Sequence, residues 1–189
     1  MEKADIVKAV RKCLDENTET AALTSDENTL ELDDIIEDKI KPGINAVKEI
    51  APLSRLTIST HTLSTPVLPD GYLRFVGIHG AACGTIHELS ENADNIAHRN
   101  LSEFAGIKHT KSNSVAIYTK NGIETFPADT SATLYYIKAA ESETDIDSGI
   151  YDAVIMKIAA LVCGTQMSSG GMQMMNAMCA ENLGLTNKE

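Results

Sequence analysis

The chain has 189 residues, enough for a real hydrophobic core carrying a substantial insertion, which excludes disorder as a global description. Its formal net charge is −11, with 13 acidic against 7 basic residues in positions 1–52; this excludes a tight grip on nucleic-acid phosphates, because that affinity comes from counterions released to Lys and Arg. Trp is absent and Phe scarce, and Cys13, Cys83, Cys163 and Cys179 show no C-x-x-C spacing. The core is therefore expected to be aliphatic and Met-rich, with neither a disulfide framework nor a zinc knuckle.

The opening MEKADIVKAV lacks the apolar run of a signal peptide. Ile6, Ala9, Val10, Cys13 and Leu14 recur at helical spacing, predicting a short amphipathic helix over 3–14. DENTETAALTSDENT at 15–29 reads as a polar connection, since its Asn, Asp, Ser and Thr side chains compete for backbone hydrogen bonds. From Leu30 onward, Leu32, Ile35, Ile36, Ile40, Ile44, Val47 and Ile50 predict a longer second helix. Pro42 within it removes a backbone donor and clashes with the preceding turn, so a kink, a restart or a true break at Pro42-Gly43 is expected. Pro52 closes the segment.

The middle third changes period. RLTIST at 55–60, YLRFVGI at 72–78, SVAIYT at 114–119, IETF at 123–126 and TLYYIK at 133–138 alternate or cluster β-branched and aromatic residues and read as strands of a small, largely antiparallel sheet. Pro69-Asp70-Gly71 is a turn feeding the strand from Tyr72. Asn121-Gly122 suits a tight type I′ hairpin. Residues 89–113 read as a polar loop with a short helical turn around NIAHRN.

Helical spacing returns in ETDIDSGIYDAVIMKIAALVCG. Asp145, Asp147 and Ser148 are expected to cap this helix, and Ile150, Val154, Ile158, Leu161 and Val162 form its apolar face. SSGG at 168–171 interrupts the pattern before MQMMNAMCAENLGL, another helix or a loose tail. The longest apolar stretch, IAALVCG at 158–164, is too short to span a bilayer, so a chain folding in a reducing cytoplasm is expected. The fold class is α+β: a helical bundle built from both chain ends, residues 1–54 and 141–189, with a small antiparallel β region at 55–140 inserted between the second and third helices.

Chemistry-bearing clusters are sparse. His79, Cys83 and His87 lie four apart; on a helix the outer pair would be about 12 Å apart, too far for one metal ion. Cys83 with His61 or His98 would make a nucleophile and base, the centre of an alternative reading as a small cytoplasmic Cys/His hydrolase or metal-binding enzyme, yet nothing flanking Cys83 would lower its pKa. DIDSG from Asp145 has the carboxylate spacing of a calcium loop but Met156 stands where the bidentate Glu belongs. No phosphate-cradling glycine motif occurs. No catalytic, cofactor or metal site is therefore assigned. The C-terminal Met167, Met172, Met174, Met175 and Met178, with Leu183 and Leu185, either complete the chain's own core or contact a partner, since flexible thioethers adapt to irregular apolar surfaces. On the partner reading, segment 167–189 is separable from the helical body.

Taken in order, INAVKEIAPLSRL, LPDGYLRFVGIHG, NIAHRN, NGIETFPA, TLYYIK and IYDAVIMKIAALVCG resemble the head-to-tail connector (adaptor, or ring) proteins of tailed phages, most nearly those of crAss-like Bacteroides phages. The likeness covers roughly residues 30–185 and rests on Leu68, Pro69, Asp70, Tyr72, Leu73 and Arg74, on Pro127 and Leu134 to Ile137, and on Tyr151 and Asp152. Similar proteins often carry a Trp and a Pro around the strand written here CGTIHEL, which has neither. The resemblance implies a non-enzymatic virion subunit without cofactors, made in the host cytoplasm. Copies of it, expected to number twelve, form a ring below the portal protein that receives downstream tail or ring proteins. Double-stranded DNA passes through the lumen without specific binding at genome ejection, and no membrane is involved.

Overall fold

Apolar residues at steps of three and four fold the first helices. In the computed structural model, which describes residues 2–17, 29–63, 67–80, 84–85, 89–90, 115–119, 122–126, 132–165 and 169–185, α1 spans Lys3–Asn17 and α2 spans Thr29–Ile50. Ile6, Val10, Cys13 and Leu14 of α1, and Leu32, Ile36, Ile40, Ile44 and Val47 of α2, are buried. The helix α2 runs through Pro42 without a break. Gly43 shows what that continuity serves: a Cβ there would lie 2.6 Å from Ile158 Cγ1, so the glycine permits a close approach between α2 and α3, Tyr151–Thr165.

Helix α3 is the centre of the helical unit and packs against α1, α2 and α4, Ser169–Leu183. Neighbours on three sides explain why Ala153, Ile155, Ala159, Ala160 and Cys163 are buried as well as the expected Val154, Ile158 and Val162. The stretch Ser148–Thr165 is long and apolar enough to cross a membrane by length and composition; half of it is buried among the other helices, which gives its apolarity a use in the core. The last segment is a helix and belongs to that core, because Met175, Cys179 and Leu183 form its buried face. Removing 167–189 would strip this packing, so the segment is not separable from the helical body.

The helix ends are built differently from expectation. Gly184, at φ 72°, and Leu185 close α4, Leu185 N–H donating to Ala180 O and Gly184 N–H to Glu181 O in a Schellman arrangement. The Arg55 guanidinium donates to Asn182 O at 2.6 Å, placing a cation on the carbonyl-rich end of the helix. Asp147 precedes a 3-10 turn, Ser148–Ile150, but makes no capping bond; its Oδ1 instead accepts from Thr57 N–H at 3.0 Å and from the Thr57 hydroxyl. Asp145 accepts from Lys48 Nζ and Glu141 N–H. The expected helix capping by these acids is thus replaced by bonds that hold 141–147 to Lys48 of α2 and to Thr57 after it.

The strands occupy a second unit, Ile58–Lys138, while Met1–Thr57 and Ala139–Glu189 form the helical one. The strand expected over 55–60 starts later. Leu53–Arg55 is a 3-10 turn following Pro52, and β1 covers Ser59–Leu63. With β2 (Tyr72–Gly80), β3 (Gly84–Thr85) and β7 (Ala132–Lys138) it makes a four-stranded antiparallel sheet in the order β1-β7-β2-β3. A turn with Gly71 at φ 72° and Tyr72 N–H bonded to Pro69 O leads into β2, as Pro-Asp-Gly requires.

A second sheet joins β4 (Leu89–Ser90), β5 (Val115–Thr119) and β6 (Gly122–Phe126). Its β4–β5 pair is parallel, and β4 falls where a loop is expected. Thr119 pairs with Gly122, which at φ 128° opens β6 as a strand residue, while Asn121 of the expected Asn121-Gly122 turn lies outside the described residues. Leu63, Ile78, Leu134 and Tyr136 from the first sheet and Ala116 and Ile123 from the second share one core, with Tyr72 stacked on Tyr136 at 5.8 Å. The expected turn around NIAHRN lies outside the described residues. The architecture is α+β, with strands inserted between the second and third helices.

Candidate interaction surface of the helical unit

Register separates the histidines. His61 of β1 stands opposite Leu134 of β7, and His79 of β2 stands opposite Thr133. Directly paired residues share a face and successive residues alternate, so His61 lies on the side of buried Leu134 and Ile78, and His79 on the other side of the same sheet. The sheet does not bring the two together. Gly80 pairs with Gly84, and Cys83, His87 and His98 lie outside the described residues. Among the described residues no three His, Cys, Asp or Glu side chains are grouped to hold a metal ion. Burial pushes the thiols of Cys163 and Cys179 up from their ordinary pKa, with Lys157 opposing the shift at Cys179; at neutral pH these two are protonated core residues.

The Met-rich helix divides by its phase. Met175 and Leu183 are buried in the chain's own core, Met172 and Met178 are half-buried, and Met174 and Leu185 are 38% and 45% exposed; Met167 lies outside the described residues. Of the seven residues expected to meet a partner, Met175 and Leu183 are therefore spent on the fold. Ile50, expected on the apolar face of the second helix, and Leu53 are also exposed. Arg55 ties the Leu53–Arg55 turn to the end of α4 and so gathers Leu53 and Leu185 at one end of the helical unit.

Along the outer side of α2, α3 and α4 runs a groove of about 450 Å³. Its lining combines apolar Pro42, Leu161 and Met172 with polar Lys39, Lys157 and Asn176, and Lys157 Nζ donates to Asn176 Oδ1 at 2.8 Å. Gly164 lets Met172 close in, since a Cβ there would stand 3.2 Å from the thioether sulfur. Two lysines beside apolar side chains suit an apolar segment that carries carboxylates.

Lys48 is buried, 4% exposed, with its Nζ 3.3 Å from Asp145 Oδ2. At the surface, Lys3 bridges Glu37 and Glu143 at 2.6 and 3.1 Å, and those hydrogen bonds raise its pKa. Both contacts tie 141–147 back onto the helices. No protein-family model matches the chain, and no curated protein matches it.

Proposed function

We propose that this chain is a structural subunit of a phage head-to-tail connector, one copy of a ring below the portal that extends the DNA channel and docks the next tail component. What supports the reading is the order of elements: two helices, a strand-built insertion, then two helices that complete the first pair, with the connector-like motifs running along the chain in the same order. Met174, Leu185, Ile50 and Leu53 are the exposed apolar side chains available to a neighbour, and the Lys39–Lys157 groove offers a seat for acid-bearing segments of an adjacent copy. Repeated heterologous contacts of this kind close into a ring. A net charge of −11 suits a lumen that duplex DNA crosses without sticking, because carboxylates repel its backbone.

The test uses the purified full chain mixed with the portal protein, imaged by negative stain, beside the variants Met174→Glu and Leu185→Glu. Rings attached to portals, lost in the variants while their helical circular dichroism persists, are expected. Compact single subunits in every field, or attachment unaffected by both variants, would overturn the reading.

A further inference from the structure

Three helices bring three sulfur atoms together. Cys13 Sγ of α1 lies 3.3 Å from Met156 Sδ of α3 and 3.6 Å from Met175 Sδ of α4, one S–H shared between two thioethers. Cys13 and Met175 are buried, while Met156 is half-buried. We infer that Cys13, Met156 and Met175 form a binding site for a soft monovalent cation, Cu(I) or Ag(I), an inference independent of the connector reading.

Ligand chemistry selects the ion. Thiolate and thioether donors favour Cu(I), whereas carboxylate, carbonyl and water donors favour hard cations. Charge points the same way. Binding displaces the Cys13 proton to solvent, so a thiolate with a monovalent ion is neutral overall, as a core site requires; a divalent ion such as Zn²⁺ would leave a net positive charge buried among apolar side chains.

Both thioethers lie within reach of one ion held by Cys13. Metal–sulfur bonds of about 2.3 Å to an ion lying in the plane of three ligands set neighbouring sulfurs about 4 Å apart, so the two separations from Cys13 Sγ, 3.3 and 3.6 Å, open by well under 1 Å as the thioethers swing to complete the triangle. Methionine side chains, with three rotatable bonds, supply that movement without shifting a helix. The core packing of a Met-rich protein would equally gather sulfurs, so the experiment separates a binding site from packing alone.

The full chain is titrated anaerobically with Cu(I) against a chromophoric competing chelator, and the complex is examined by X-ray absorption. The result expected is one tightly held Cu(I) with an all-sulfur shell near 2.3 Å, and no Zn²⁺ bound at the same site. Altering groups that merely support a metal ligand costs about 10–100-fold in affinity. Cys13→Ser, which removes a ligand, should therefore weaken binding by on the order of 100-fold or more, and Met156→Leu and Met175→Leu by on the order of tenfold. Cys163→Ser and Cys179→Ser should bind as the parent does. Met→Leu nearly conserves volume, so Met156→Leu decides the matter even if Cys13→Ser fails to fold. Absence of binding in competition with the chelator, Cu(I) affinity unchanged in Met156→Leu, equal affinity for Zn²⁺, or loss that follows Cys179→Ser instead would overturn the inference.

Discussion

Replacing Gly43 by Ala tests the close packing of α2 on α3. The added methyl would stand 2.6 Å from Ile158 Cγ1, 3.5 Å from the Ile158 backbone nitrogen and 3.6 Å from its Cα. Ile158 is wholly buried and the offending atom is the branch next to its backbone, not a mobile tip, so relief requires the helices to part. Overpacking of this kind costs about 1–3 kcal/mol, while Ala in place of Gly returns at most about 1 kcal/mol of helix propensity. The net expectation is a loss of about 1–2 kcal/mol, a fall of about 2–8 °C in Tm for a chain of this size. Reversible urea unfolding followed by circular dichroism at the helix band measures it. Gly170→Ala in α4 is the control, since no atom outside its immediate neighbours lies within 4 Å of the new Cβ; it should stabilise by about 0.4–1 kcal/mol. In an Ile158→Ala background, Gly43→Ala should cost nothing or restore stability, because the clash is gone. A Gly43→Ala protein as stable as the parent would refute the close-approach argument.

Two further outcomes follow from the buried groups. Asp145→Ala removes the carboxylate 3.3 Å from the buried Lys48 ammonium and should cost about 1–2 kcal/mol in urea unfolding, below the usual toll for a fully buried pair because the Asp145 side chain is 44% exposed; a variant as stable as the parent would contradict the role given to this contact. Burial raises the thiol pKa of Cys163 and Cys179 from the ordinary 9.0, and burial, followed by the nearby carboxylates of Asp152 and Asp5, raises that of Tyr151 from 10.0. The folded chain then keeps protons that the unfolded chain releases, so the stabilisation is present below pH 9 and is lost as pH climbs past it. Tm should fall between pH 9 and 11, less steeply in Cys163→Ala; a Tm that is flat or rising over that interval would contradict the assignment.

The helices were legible because their apolar residues repeat at the helical period, and the buried ladder Ile6, Val10, Cys13 is the one the spacing selects. The same arithmetic could have divided the Met cluster, since Met175, Cys179 and Leu183 stand four apart on one face whereas Met174 lies off it. For α3 the period was blurred, because a helix with neighbours on three sides buries residues beyond a single stripe, Ala153, Ile155, Ala159, Ala160 and Cys163 among them, and keeps little polar contrast. The start of β1 was misjudged because RLTIST carries strand-like residues, while the turn after Pro52 and the Arg55 bond to Asn182 engage its first residue. Least visible were contacts between residues far apart in the chain. Cys13 is 143 residues from Met156 and 162 from Met175, and Lys48 is 97 from Asp145; no local spacing rule connects such positions.

On the proposed function, the chain's exposed apolar side chains dock further copies of the chain and a portal protein. Native mass measurement of the purified full chain, alone and after mixing with the portal protein, tests this most directly. The account predicts a discrete closed assembly near twelve copies, at least when portal is present, built from the 20.3 kDa subunit. A single 20.3 kDa species at every concentration, unchanged by the portal, would contradict it.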